Sequence, residues 1–148
     1  MNIVDDDTVT WKKYRADDED YGLIRSDVIQ AATNAMMDKK QIQKIVLGLE
    51  EAVANVISYA YEFPGYLWVG TSFRDNCFIL EIVDYGIPFD PLAENITIPE
   101  NITLKDIELG GHGIRIIRSI FDKVEYNRKE FKGEMANRLL LSVMIKKE

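Results

Sequence analysis

Glu51 and Asn55 stand four residues apart in LGLEEAVANVISYAYE (47–62), on a side of a helix that its apolar stripe does not occupy. Side chains at that spacing project next to each other, so a carboxylate and an amide would share one bound object. A phosphate-bearing magnesium ion suits the pair, because magnesium takes oxygen ligands and keeps several waters. The carboxylate also suits proton abstraction from an attacking hydroxyl. The same spacing equally fits a plain solvent-facing surface. Gly48, one turn earlier, costs about 1 kcal/mol against alanine in a helix interior and marks a close approach.

Three further pieces carry chemistry. Asp84-Tyr85-Gly86 closes an apolar run: a carboxylate there accepts from a ligand amino group, and the glycine lets a flat ring such as adenine lie close, though an ordinary turn reads the same way. Gly110-Gly111-His112-Gly113 leads into a helix. Its glycines expose backbone amides and the helix start adds a positive dipole end, which together make a phosphate cradle. No G-K-[ST] follows, so it is not a Walker loop. His112 is the single histidine, which leaves no second one for a metal site; its ring is expected to point outward while its backbone contributes. Asn137 opens the last strand, where it supports a bound base or water, or simply begins the strand.

The elements that must position these residues follow from periodicity. Asp17 to Met37 predicts a helix with acidic residues in its first turn, where the macrodipole favours them, and with Leu23, Val28, Ala31, Ala35 and Met36 facing inward. Lys39 to Tyr61 predicts a second, with Ile42, Ile45, Val46, Leu49, Val53, Val56 and Ala60 in one stripe. Glu51, Asn55, Ser58 and Gly48 fall opposite that stripe, and Pro64-Gly65 stops the helix. A short strand is expected at Thr8–Arg15, then a hairpin of Tyr66–Phe73 and Cys77–Asp84 around Arg74-Asp75-Asn76. From Asp84 to Gly110 periodicity is lost and three of the four prolines occur, the pattern of a functional lid. A short helix from about Ile114 (Ile117, Ile120 and Phe121 apolar) and strands at Lys123–Arg128 and Arg138–Lys146 complete the chain. The fold class is α+β: a two-layer sandwich with helices on one face of a mixed, mainly antiparallel sheet.

Composition bounds the function. The chain has 148 residues, 47% hydrophobic and 29% charged, which places it among globular proteins of one domain. Its net charge of -7 argues against direct nucleic-acid binding. Acidic clusters at Asp5–Asp7 and Asp17–Asp20 read as solvated surface, or as a patch for a basic partner. With a single cysteine, Cys77, the chain has no internal disulfide and no cysteine metal cluster. No apolar run is long enough to span a membrane, and MNIVDDDTV lacks the basic and apolar regions of a signal peptide. A cytoplasmic location is expected.

Taken in order, these pieces resemble the GHKL (Bergerat-fold) ATPase superfamily, and most closely the bacterial anti-sigma-factor serine/threonine kinases. The resemblance covers roughly residues 10–146: EEAVANVISYAYE resembles the N box, VDYGIPFDP the G1 box and LGGHGIRIIRSIFDKVEY the G2 box. It implies ATP and Mg2+ as cofactors, Glu51 as general base and Asn55 as magnesium ligand. Asp84 would take the adenine amine, with Gly86 beside the ring. Gly110, Gly111 and Gly113 would surround the phosphates, and Asn137 would back Asp84. It further implies a single domain, 1–148, with a lid at 85–110. No phosphoacceptor-histidine helices or transducer domain accompany it, which excludes a complete sensor kinase or topoisomerase. The activity implied is phosphorylation of a serine or threonine on a STAS-type antagonist, together with sequestration of a sigma factor. A homodimer through the sheet or its N-terminal strand is also implied, and the partner-facing region includes Arg25. Two departures stand out: Glu108-Leu109 replaces an arginine that often precedes the G2 glycines, and Ala136 replaces a common glycine. Lys105 or Arg115 are alternative cations. The missing arginine leaves open a nucleotide-binding module that regulates a partner without transferring phosphate.

Overall fold

Two left-handed turns organise the sheet. Asp75 and Asn76 (φ 54° and 62°) join strands β2, Tyr66–Arg74, and β3, Cys77–Asp84; Lys132 and Gly133 (φ 51° and 88°) join β4, Lys123–Phe131, and β5, Glu134–Met144. Two-residue loops with both φ values positive match the twist of the strands they connect. With β1, Thr10–Arg15, they form a five-stranded sheet in the order β1-β2-β3-β5-β4, and every described pairing is antiparallel. The structure is a computed structural model that describes residues 9–57, 65–88 and 113–145, with backbone only for 113–115. Ser58, Ala60 and Pro64, the segment 89–112 and the C-terminal 146–148 lie outside the described residues.

Helices α1, Asp18–Asn34, α2, Lys39–Asn55, and α3, Gly113–Ile120, pack on one face of the sheet. Asp17 caps α1 by accepting from the Asp20 amide at 2.8 Å. Asp38 and Gln41 form a reciprocal capping box at the start of α2. The apolar rows Leu67, Val69, Phe78, Leu80, Ile82, Leu141 and Val143 meet Ile24, Val28, Ile45, Leu49, Val53 and Ile117 in one buried cluster. Each such side chain contributes about 1.5–3 kcal/mol over exposure, so these rows hold the layers together.

The first helix corrects the sequence reading in two places. Ile24, Val28 and Ala32 are its buried positions, whereas Leu23 is 58% exposed. Apolar residues encircle much of α1, so no single stripe fixes its phase. Met36, expected inward, is 82% exposed because it occupies the left-handed position of a Schellman end (φ 65°). There the Met37 amide donates to Ala32 O and the Met36 amide to Thr33 O.

The opposite sheet face carries a smaller cluster of Val83, Phe131 and Ala136 with Trp11, Trp68 and Tyr85. Arg138 and Glu81 form a 2.6 Å ion pair there, both nearly buried. Among the described residues, no helix is long and apolar enough to cross a membrane.

Candidate functional site

One cross-strand row sets the site. Tyr14, Leu67, Asp84, Asn137 and Arg128 stand in register across all five strands, on the face that carries the helices. The first two continue the buried layer, and the last three turn the row polar at one end of the sheet. Asp84 and Asn137 are 7% and 5% exposed. A buried polar group is costly unless bonded, and these are bonded thoroughly.

Asp84 Oδ1 accepts from Asn137 Nδ2 and from the Gly86 amide, each at 2.9 Å. The second contact is an Asx-type turn that folds the chain back immediately after β3. Asn137 Nδ2 also donates to Ile87 O at 2.8 Å. On the other side of the amide, Asn137 Oδ1 accepts from Tyr126 Oη at 2.5 Å and from Arg128 Nη1 at 3.1 Å. The same Arg128 nitrogen donates to Gly86 O at 3.0 Å. Burial pushes the Asp84 carboxyl above its ordinary value, against the opposing pull of Asn137, Gly86 and Arg128. Both described donors fall on Oδ1, and no described donor falls on Oδ2. Gly86 is buried beside it.

Asp84, Gly86 and Asn137 are thus joined by hydrogen bonds at one end of the sheet. Tyr126 and Arg128 were not anticipated. Arg128 lies directly opposite Asn137 and Tyr126 one diagonal away, so a register read from the Lys132-Gly133 turn identifies them.

Glu51 and Asn55 lie on the second half of α2, both half-buried. The helix sets out from the far end of the sheet, where Gln41 Nε2 donates to Met144 O at 3.0 Å and Met144 pairs with Cys77. From Gln41 to Asn55 the helix advances about 21 Å. From Cys77 to Asp84 β3 advances about 23 Å. The two lengths match, and Val56, just past the end of α2, is buried in the main core cluster.

Gly48 lies one turn before Glu51 on the side of α2 that α3 covers. A Cβ at Gly48 would overlap the Phe121 ring, so the close approach there is packing between helices rather than contact with a ligand. By helical spacing Glu51 and Asn55 lie on the same side of α2 as Gly48. Gly113 begins α3. Gly110, Gly111, His112, Lys105 and Glu108-Leu109 lie outside the described residues, and for Arg115 only the backbone is described.

Among the described residues, no three His, Cys, Asp or Glu side chains form a metal cluster.

The profile of the histidine kinase-like ATPase domain matches residues 14–139. The chain belongs to that family. Within this ATPase family it is similar to an anti-sigma F factor of Clostridium acetobutylicum, 25% identical over 122 residues, or 82% of this chain and 85% of that protein. It is also similar to the serine-protein kinase RsbW of Halalkalibacterium halodurans, 27% identical over 74% of this chain and 70% of that protein. A third relative, the serine/threonine-protein kinase BtrW of Bordetella bronchiseptica, is 30% identical over 58% of this chain and 61% of that protein. The antiparallel sheet with helices on one face agrees with this fold.

Proposed function

We propose that this chain binds ATP with magnesium and phosphorylates a serine or threonine of a STAS-type antagonist protein, and that it holds a sigma factor inactive until that antagonist competes. The observation that carries the reading is Asp84: a buried carboxylate at a strand end, one oxygen saturated, the other without a described donor beside a glycine turn. Relatives whose names are anti-sigma factor and serine kinase support it.

In this reading Asp84 Oδ2 accepts the 6-amino group of adenine, and Gly86 lets the ring lie against the backbone. Asn137 holds Asp84 from behind. Asn55 supplies an amide oxygen to magnesium, which when bound offsets charge on the phosphate oxygens. Gly110 and Gly111, with the first amides of α3 at Gly113, cradle the phosphates. Glu51 takes the proton from the seryl hydroxyl as its oxygen bonds to the γ-phosphorus and the bond to the bridging oxygen breaks. The chain acts as one domain, with 85–110 as the segment that covers the nucleotide. A cytoplasmic homodimer is part of the same proposal.

Incubating the chain with labelled ATP, magnesium and its cognate STAS protein tests the reading. Label on a serine or threonine of the partner is the expected result. ATP binding with no transfer would instead favour the regulatory module, the outcome that the absence of an arginine at Glu108-Leu109 favours.

A further inference from the structure

The amide of Asn137 is engaged at every position. Its oxygen accepts from Tyr126 Oη and Arg128 Nη1, and its nitrogen donates to Asp84 Oδ1 and Ile87 O. A flipped amide would set its NH2 against the Arg128 guanidinium, which only donates, and its oxygen against two acceptors, so the amide is held in this orientation. A carboxylate oxygen offers about two acceptor positions, and on Asp84 Oδ1 the Asn137 nitrogen and the Gly86 amide fill both. Asp84 is therefore a one-oxygen acceptor. Adenine presents one exocyclic donor on its six-membered ring. Guanine presents two adjacent donors, N1–H and the 2-amino group, which need both oxygens of a carboxylate, and its O6 is an acceptor that a carboxylate repels.

We propose that Tyr126 and Arg128 are positioning residues that set purine choice: by locking Asn137 they keep Asp84 Oδ1 occupied, so the site takes a 6-aminopurine nucleotide and denies guanine its two-oxygen grip. The inference rests on the adenine role of Asp84 proposed above. Arg128 contributes twice, since the nitrogen that binds Asn137 also fixes Gly86 O and with it the turn that delivers the Gly86 amide to Asp84. In this proposal each acts on the base through Asn137 or the turn.

Affinities of ATP and GTP, each with magnesium, are measured by calorimetry on the full chain for the wild type, Tyr126→Phe, Arg128→Met and the double variant. The wild type is expected to prefer ATP. The double variant should lower the ATP-to-GTP affinity ratio by about tenfold, the scale of one hydrogen bond to a charged group. Arg128→Lys, which restores a single donor, should recover part of the ratio. A merely structural role would weaken both nucleotides alike and leave the ratio fixed, which overturns the proposal. Should the double variant fail to fold, Tyr126→Phe decides alone, since it removes one oxygen atom; an unchanged ratio there is again contrary. Asp84→Ala separates the two layers: if it leaves ATP affinity untouched, the adenine reading itself fails, whereas loss of ATP binding beside an unchanged ratio in the relay variants defeats only this inference.

Discussion

The Asn137 amide nitrogen lies 2.9 Å from Asp84 Oδ1, joining residues 53 positions apart at one end of two adjacent strands. Asp84 is nevertheless raised from the carboxylate value of 3.8, because burial outweighs the bonds it accepts. A folded-state pKa above the unfolded one means that folding penalises the ionised form. Stability from this group is therefore fullest below pH 3.8 and declines as pH rises through the folded value. Asp84→Asn keeps an oxygen for Asn137 and Gly86 while removing the charge. Its melting temperature at pH 7 is expected to equal or exceed the wild type by a few degrees, the gap closing below about pH 4. A variant less stable at pH 7 would contradict this.

Gly48 and Phe121 give a second prediction. Alanine at position 48 gains about 1 kcal/mol in helix propensity. Overlap with the buried Phe121 ring costs about 1–3 kcal/mol, because the core is close-packed. Gly48→Ala should therefore be net destabilising in denaturant unfolding, and Phe121→Leu in the same chain should recover the loss.

Glu51→Ala should abolish transfer to the STAS partner and leave ATP affinity within a few-fold of wild type, since the carboxylate acts on the hydroxyl and not on the base. Undiminished phosphorylation would remove Glu51 from the proposed role.

The Arg138–Glu81 pair makes a stability prediction on the opposite sheet face. Their side chains are only 12% and 11% exposed, and the guanidinium also stacks over Trp11 and Phe131. Arg138→Met removes the 2.6 Å ion-pair partner of the nearly buried Glu81, at a cost of about 3 kcal/mol in urea unfolding.

Acid sensitivity should arise at the sheet edge. Tyr14 Oη donates to Asp27 Oδ2 at 2.6 Å and Lys12 Nζ at 3.1 Å, and these hold Asp27 below 3.8, the tyrosine bond foremost. A depressed carboxylate contributes stability above its unfolded pKa and loses it as pH falls through the folded value. Tyr14→Phe should thus flatten the acid limb below about pH 4. Because Asp27 is partly exposed, the neutral-pH loss should stay under about 1 kcal/mol. Melting curves from pH 2 to 7 check both.

Much of this was legible because local rules governed it. The stripe of α2 follows its 3.6-residue period through Ile45, Leu49 and Val53, and the Asp75-Asn76 hairpin was placed by its turn residues. The phase of α1 was not, since its apolar residues surround the helix and burial is decided by the sheet. Gly48 signalled closeness without saying to what. Tyr126 and Arg128 were invisible because the last two strands were expected to end at Arg128 and begin at Arg138. They instead run to Phe131 and from Glu134, and only that register brings Arg128 opposite Asn137.

The central claim is that the chain holds an adenine nucleotide where Asp84 and Asn137 meet. Titration calorimetry of the full chain with ATP and magnesium, beside Asp84→Ala, tests it most directly. The account predicts saturable binding by the wild type and at least about a tenfold loss in the variant. No heat of binding from the wild type, or equal affinity in both, would contradict it.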